Sequence, residues 1–267
     1  MVLPLSDDNR DRTSFPVVNL AIIGLNIFVF VVLQGMGTNE DFTLAWATVP
    51  AEIVSGKDQV TSDRLVEVQS EIGPVEVVSS GLRPTPVSVY LTLLVSMFMH
   101  GGIAHLAGNM WFLWVFGDNI EDDLGPIRYT LFYLLCGVLA SLVHVAFNAS
   151  GESAMIPSLG ASGAISGVMG AYLLQHSRRR VTVLLGRVIT EVPAMFAVGI
   201  WFVFQIISSL GMLGGAGGVA YGAHIGGFLA GMALVKPFAI GRPRRGGDPL
   251  GHVRDARLAP PFRRRPF

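Results

Sequence analysis

Six long apolar runs dominate the chain and restrict it to folds that a membrane can accommodate. They cover about residues 16–35, 87–118, 127–148, 159–175, 188–211 and 219–236. A helix needs about 20 apolar residues to cross the hydrocarbon layer of a bilayer. Only 14% of the 267 residues are charged, against roughly 25% in an ordinary soluble domain. The pattern excludes a water-soluble globule and predicts an all-α membrane protein.

The second run is too long for a single helix, and His100 within it is followed by two glycines. We therefore predict a break there, with an interfacial or partly inserted stretch over 87–99 and a helix from about 103 to 118. The count becomes six transmembrane helices forming one bundle. The predicted parts are an N-terminal segment 1–15, a six-helix membrane domain 16–236 with a long outer loop 36–86, and a basic, disordered tail 237–267.

The basic residues predict the orientation of this bundle. Arg10 and Arg12 precede the first run, residues 178–180 are all arginine, and the tail is rich in arginine. Basic residues accumulate in loops on the cytoplasmic side of a membrane, so we expect both termini to be cytoplasmic. The loop 36–86 then lies outside, and its Val/Glu alternation around 65–78 indicates a short hairpin.

Charge and cysteine content exclude several classes of function. The formal net charge is zero, which gives no reason to expect a nucleic-acid partner. Cys136 is the single cysteine, so an internal disulfide and a cysteine-rich metal site are excluded. We interpret Cys136, which lies in an apolar run, as a packed thiol.

Polar side chains within apolar runs are costly, so each is a candidate for function. We expect hydrogen bonds between helices for Asn19 and Asn26, a structural role for His144, and an interfacial position for Glu191. The full set is Asn19, Asn26, His105, Asn109, His144, Ser162, Ser166, Glu191, Gln205 and His224.

Asn109, Ser162 and His224 share one depth in the predicted bundle. They lie on the second, fourth and sixth helices, about 12–16 residues before the cytoplasmic boundary, which is roughly 18–24 Å at the rise of an α-helix. His105 lies one turn above Asn109. The layer is therefore in the outer part of the membrane, where water can reach it.

Small residues indicate how this layer is assembled. Ser162, Ser166 and Gly170 repeat every four residues on the fourth helix, and Ala223, Gly227 and Gly231 do so on the sixth. Two such faces can pack backbone against backbone, which would bring Ser162 and His224 to about the 3 Å that proton transfer requires. A serine needs a base to become a nucleophile, and no acidic residue shares this depth, so we predict a serine–histidine dyad.

Four segments together resemble the rhomboid family of intramembrane serine proteases. The resemblance covers about residues 90–236, and the first run fits the six-helix plan of that family. The matching segments are 100–110 (HGGIAHLAGNM), 116–125 (FGDNIEDDLG), 160–164 (GASGA) and 223–231 (AHIGGFLAG).

The resemblance implies a role for each matching residue. Ser162 would be the nucleophile and His224 its base, with His105 and Asn109 on the oxyanion side. Glu121 would hold the first loop and the helix ends in place. Structural roles are implied for Gly160, Gly163, Gly227 and Gly231.

The resemblance also implies the partners and the location. The substrates would be transmembrane segments of other membrane proteins, cut near their outer ends at small residues, without a metal or cofactor. Membrane lipid would surround the bundle, and we expect a bacterial inner membrane. The oligomeric state and the physiological substrate are not predicted.

Three departures from the family pattern are visible. Trp46 is followed by Ala47 rather than arginine, the first loop is extended between 52 and 86, and Ser166 replaces a tyrosine that some members place against the histidine.

Two other functions remain open at this point. The first is a non-catalytic binder of membrane clients, and the second is a small transporter with a midplane polar site, although no internal repeat is evident.

Overall fold

The computed structural model describes residues 2–70, 73–209 and 221–242, and within these ranges the chain forms nine α-helices and five β-strands. Short 3-10 or π-helical turns lie beside several of them. The strands are β1 (Val2–Asp7), β2 (Arg64–Ser70), β3 (Gly73–Ser79), β4 (Arg180–Leu185) and β5 (Val188–Pro193). The helices are α1 (Val17–Phe28), α2 (Glu40–Trp46), α3 (Pro50–Ser55), α4 (Thr92–Val95), α5 (Ile103–Leu124), α6 (Pro126–Phe147), α7 (Ser162–His176), α8 (Ala194–Ser209) and α9 (Tyr221–Phe238).

The break predicted in the second apolar run is present. Short helical turns over 89–98 are followed by a 78° bend into α5. However, α5 continues to Leu124 rather than ending near 118, so the acidic residues Glu121, Asp122 and Asp123 form part of its last turns. These acidic side chains can remain in the helix because they are buried against polar partners.

Among the described residues, α6 is the one helix that is long and apolar enough by itself to cross a membrane. The bent pair that ends in α5 would be a second span if it is counted as one unit. The apolar helices Val17–Leu33, which includes a π-helical turn, and Ala194–Ser209 are shorter. The six-span count and the cytoplasmic position of both termini therefore stay predictions.

The all-α prediction was wrong in one part, because a three-stranded antiparallel sheet in the order β1-β4-β5 accompanies the helices. We had assigned residues 188–193 to the fifth membrane helix, whereas they form β5, and the helix begins at Ala194. Short apolar runs rich in β-branched residues are compatible with a strand or with part of a buried helix. Here Val181 and Val183 alternate inward from β4, and pairing with β5 across the turn at Gly186 satisfies the backbone.

Glu191 therefore does not lie at the start of a membrane helix. It is exposed in β5, opposite Thr182 of β4.

The hairpin predicted from the Val/Glu alternation is also present. β2 pairs with β3 in antiparallel register from Arg64 opposite Ser79 to Ser70 opposite Gly73. The predicted tail begins inside described structure, since α9 ends at Phe238. Disorder was predicted from residue 237, so the prediction does not hold for 237–242, where the helix ends and a turn follows. The rest of the predicted tail, 243–267, lies outside the described residues.

Aromatic residues of α6 form the centre of the helical core. Tyr129, Phe132 and Tyr133 are fully buried, and Phe116 of α5 packs edge-on against Tyr172 of α7. Cys136, one turn further along α6, is buried as expected for a packed thiol. The core thus joins α5, α6 and α7 beneath the predicted polar layer.

Asn19 makes the predicted contacts between helices. Its amide nitrogen donates to the Leu113 carbonyl of α5 at 3.0 Å, and its oxygen accepts from the Tyr129 hydroxyl at 2.7 Å. The Asn26 amide nitrogen instead donates to the Ile22 carbonyl within α1.

The β1 strand ends in Asp7, a half-buried residue whose carboxyl group gives the fold a pH dependence. Asp7 accepts hydrogen bonds from the Asn119 amide and the Tyr172 hydroxyl. Burial, reinforced by the neighbouring Asp118, raises the pKa of Asp7 from 3.8 to about 7 despite the attraction of Arg179. A carboxyl group with a raised pKa binds protons more readily in the folded state, so stability should fall as the pH rises from 3.8 to about 7.

We expect Asp7→Asn to remove this loss of stability. Between pH 5 and pH 8 the parent protein should lose a few degrees in melting temperature, since about 1 kcal/mol corresponds to roughly 2–4 °C in a chain of this size. The variant should lose less when both are melted in detergent. Asp8→Asn is the control, because Arg10 lowers the pKa of Asp8 to about 2. An equal loss in the parent and in Asp7→Asn would contradict the assignment.

Candidate active site

Ser162 and His224 are in hydrogen-bond contact. Ser162 is the first residue of α7, and His224 lies in the first turn of α9. The Ser162 Oγ and the His224 Nε2 are 2.8 Å apart. This distance is within the range that direct proton transfer requires. Both side chains are half-buried.

Glycines bring α7 and α9 together closely enough for this contact. A Cβ atom at Gly227 would lie 2.0 Å from the Gly163 carbonyl oxygen, and one at Gly231 would lie 1.9 Å from the Gly167 carbonyl oxygen. No side chain fits at such distances, so the two backbones touch directly. The packing role predicted for glycines of both helices is thus visible in the geometry.

The face that α7 presents differs from the predicted one. We expected Ser162, Ser166 and Gly170 to face α9, but the close contacts involve Gly163, Gly167 and Gly170. A shift of one residue turns a helix by about 100°. Ser162 therefore lies at the edge of the interface, where it lines a cavity, and the Ser166 hydroxyl donates to the Ser162 carbonyl instead.

His105 and Asn109 of α5 line the same cavity, which has a volume of about 680 Å³. The His105 Nδ1 accepts a hydrogen bond from the Gly101 amide at 3.3 Å. In a neutral ring this leaves the hydrogen on Nε2, where it is available as a donor. A Cβ atom at Gly160 would lie 3.0 Å from this Nε2, and Gly160 has a φ of 129°, so a glycine is required on both counts.

Asn109 carries an unused donor into the cavity. Its side chain is buried, and within the described ranges its amide nitrogen has no hydrogen-bond partner. A buried donor without a partner is costly, which is typical of a group that serves a ligand or a reacting atom.

Glu121 contacts the first helix rather than the first loop. Its carboxylate accepts hydrogen bonds from the backbone amides of Val18 and Asn19, at 3.0 and 2.7 Å. These amides begin α1 and have no partner within the helix, so the carboxylate caps α1 and also complements its dipole. The expected contact with helix ends is present, but the bonds of Glu121 run to α1, and none runs to the described part of the loop 36–86.

Two further carboxylates fasten the preceding segment to α5. Asp122 accepts from the backbone amide and the hydroxyl of Ser14, and Asp118 pairs with Arg12 at 2.5 Å. The N-terminal segment is therefore held at the end of α5 that lies away from the cavity.

Sequence reasoning missed the partner of the other histidine nitrogen. The Oε1 atom of Gln205 on α8 lies 2.8 Å from the His224 Nδ1. We had counted depth only along the helices predicted to run from outside to inside, and the fifth predicted helix runs in the opposite direction. Gln205 lies about 11 residues after the start of α8, or roughly 17 Å along it, so the same count would have placed it near the polar layer.

His144 is also closer to the site than expected. It accepts a hydrogen bond from the Asn148 amide at 3.3 Å, and both residues line the cavity with Ser153 and Ser158. The loop that joins α6 to α7 therefore gives the cavity a mixed lining, since it also contributes Ile156, Pro157 and Leu159. The lining is apolar where Phe112, Met169 and Trp201 contribute to it.

Comparison with known families agrees with this geometry. The model of the Rhomboid domain matches residues 88–239, which is more than half of the chain and includes every residue of the cavity. The chain belongs to the rhomboid family. Members of this family are integral membrane proteins, and its proteases act on membrane protein substrates.

Curated relatives are similar over about half of the chain. The chain is 35% identical over 149 residues to "Rhomboid protease GluP" of Bacillus subtilis, which is 55% of this chain and 26% of that protein. It is 32% identical over 142 residues to "RHOMBOID-like protein 6, mitochondrial" of Arabidopsis thaliana, 53% of this chain and 41% of the relative. It is 34% identical over 133 residues to the mouse "Presenilin-associated rhomboid-like protein, mitochondrial", 46% of this chain and 35% of the relative.

The chain thus spans less than half the length of these relatives. Two of these relatives are named as mitochondrial and one is from a bacterium. Membership in the rhomboid family therefore supports a membrane location but does not specify the bacterial inner membrane.

The glycine contacts give a prediction for stability. Gly231→Ala places a methyl group against the Gly167 carbonyl and forces the two helices apart, which should cost about 1–3 kcal/mol and lower the melting temperature in detergent. Gly199→Ala is the matched control, because a Cβ atom on Gly199 of α8 meets nothing within 4 Å. Equal melting temperatures for the two variants would contradict the close approach of α7 and α9.

Proposed function

We propose that the chain is an intramembrane serine protease that hydrolyses peptide bonds in or near the transmembrane segments of other membrane proteins. The observation that carries this proposal is the 2.8 Å contact between the Ser162 hydroxyl and the His224 imidazole at a polar cavity. The family membership supports it, as does the similarity to a relative named as a rhomboid protease.

The chemistry would proceed in two acyl-transfer steps. The His224 Nε2 takes the proton of Ser162 as Oγ attacks the peptide carbonyl, and the resulting tetrahedral intermediate carries the negative charge on its oxygen. The imidazolium then gives the proton to the departing amine, which leaves an acyl ester on Ser162. A water molecule, deprotonated by the same nitrogen, hydrolyses the ester and restores the serine.

Donors for the oxyanion surround the nucleophile. The backbone amide of Ser162 lies at the start of α7, where the helix dipole favours negative charge. The Asn109 amide nitrogen and the Nε2 hydrogen of His105 lie on the facing helix, in the same cavity. Preorganised donors of this kind stabilise the transition state more than the ground state.

We further propose six membrane spans with both termini in the cytoplasm. Six helices correspond in order to the predicted apolar runs, and these are α1, α5, α6, α7, α8 and α9. Many apolar side chains on α8 are exposed, among them Ile200, Val203 and Phe204, and a face of this kind suits contact with lipid. The cavity would then lie in the outer half of the membrane, where water and an unwound substrate segment can both enter.

Loss of the nucleophile provides the first test. Ser162→Ala and His224→Ala should each abolish cleavage of a model transmembrane substrate while leaving the purified protein folded. A fluorophosphonate probe should label the parent protein at Ser162 and should not label Ser162→Ala. Undiminished cleavage by Ser162→Ala would refute the nucleophile, and a parent protein that neither cleaves nor reacts would favour a non-catalytic binder of membrane clients.

Loss of one oxyanion donor should give a graded effect. Asn109→Ala should lower kcat by about 100- to 1,000-fold, the usual cost of one such donor, with little change in KM. Asn148→Ala, which removes a different amide from the cavity lining, one that is hydrogen-bonded to His144, is the comparison. Asn109 would have no oxyanion role if the two variants had the same kcat in steady-state kinetics with a fluorogenic transmembrane peptide.

A further inference from the structure

Gln205 is a buried polar residue on an otherwise apolar helix. Apart from it, α8 consists largely of Ala, Val, Ile, Phe and Met side chains between 194 and 207. A buried amide is costly unless its polar atoms find partners. Its Oε1 atom lies 2.8 Å from the His224 Nδ1, which the proteolytic mechanism itself does not use.

The hydrogen bonds on the two sides of the ring assign its tautomer. For His224 to accept the Ser162 proton, Nε2 must carry a lone pair, so the hydrogen of the neutral ring must be on Nδ1. Nδ1 is then a donor and needs an acceptor. The Gln205 carbonyl oxygen is an acceptor at the correct distance, and in the described part of the chain no carboxylate contacts this ring.

α8 also restricts the orientation of the ring. Trp201 lies one turn before Gln205 on the same helix, and its ring centroid is 6.1 Å from that of His224, at an interplanar angle of 35°. Tyr221 lies edge-on at 6.3 Å from the His224 ring. A hydrogen bond at one edge and an aromatic neighbour beside the ring leave His224 little freedom to turn its Nε2 away from Ser162.

We propose that Gln205 is a positioning residue for the histidine of the active site. It holds the hydrogen of His224 on Nδ1, so that Nε2 faces Ser162 as a base. The proposal deepens the proposed function and rests on it. When His224 takes the proton of Ser162, Nδ1 continues to donate to the same oxygen, so the amide supports the cation without a second buried charge.

Steady-state kinetics with a fluorogenic transmembrane peptide in detergent provide the first test. Gln205→Met keeps a similar unbranched shape and replaces the carbonyl oxygen by a thioether, which accepts hydrogen bonds only weakly. It should lower kcat by about 10- to 100-fold, a part of the usual contribution of a base, with KM nearly unchanged. Val203→Met, at an exposed position on the same helix, should retain the parent kcat. A kcat for Gln205→Met within about twofold of the parent value would overturn the proposal.

The charged variant separates positioning from simple packing. Gln205→Glu restores an acceptor and adds a negative charge beside Nδ1, which favours the protonated ring. Its kcat should exceed that of Gln205→Met. The acidic limb of its pH–activity profile should lie about one pH unit above that of the parent protein. A residue that only fills space would show no such shift, so an unshifted profile in an active Gln205→Glu would contradict the proposal.

A measurement independent of activity distinguishes this proposal from the proposed function. In protein labelled with ¹⁵N-histidine, the His224 ring should carry its hydrogen on Nδ1 in the parent and lose that preference in Gln205→Met. His144 is an internal reference, because its Nδ1 accepts from Asn148 and its hydrogen is therefore on Nε2. A tautomer unaffected by Gln205→Met would refute the positioning role, whereas an inactive parent protein with the expected tautomers would refute proteolysis alone.

Discussion

The direct contact between the backbones of α7 and α9 is the constraint on which the site depends. Carbonyl oxygens of Gly163 and Gly167 occupy the positions where Gly227 and Gly231 would otherwise carry side chains. Because these helices approach so closely, two short side chains can meet from opposite elements, and the 2.8 Å contact of Ser162 with His224 follows. A hydrophobic effect cannot drive helices together within lipid, so close packing of small residues provides the attraction.

A second set of contacts secures the helix that faces this pair. The end of α5 carries several buried carboxylates, and Glu121 caps α1 while Asp122 and Asp118 hold the residues just before it. The other end of α5 carries His105 and Asn109 into the cavity. One helix thus joins an end anchored by carboxylates to an end that lines the cavity.

Much of this arrangement could be predicted from the sequence, because its strongest signals are local. The apolar runs predicted the long helices, and counting residues along three of them placed Ser162, His224 and Asn109 in one layer. The sequence did not reveal the sheet, because β1 pairs with β4 across most of the chain and the run at 188–193 suits a strand or a helix equally. The orientation of α7 depends on packing between helices, because Gly163, Gly167 and Gly170 repeat at helical spacing just as Ser162, Ser166 and Gly170 do. The approach of Gln205 to His224 depends on the same packing.

The contact between Ser162 and His224 can be measured without any assumption about the substrate. Ser162→Cys introduces a thiol at the start of α7, and the natural Cys136 is fully buried and should not react. If the His224 ring takes the proton of this thiol, iodoacetamide should alkylate it at pH 7 about tenfold faster or more than in a variant that also carries His224→Ala. Equal alkylation rates with and without His224 would show that the two side chains do not touch, and the proposed active site would be wrong.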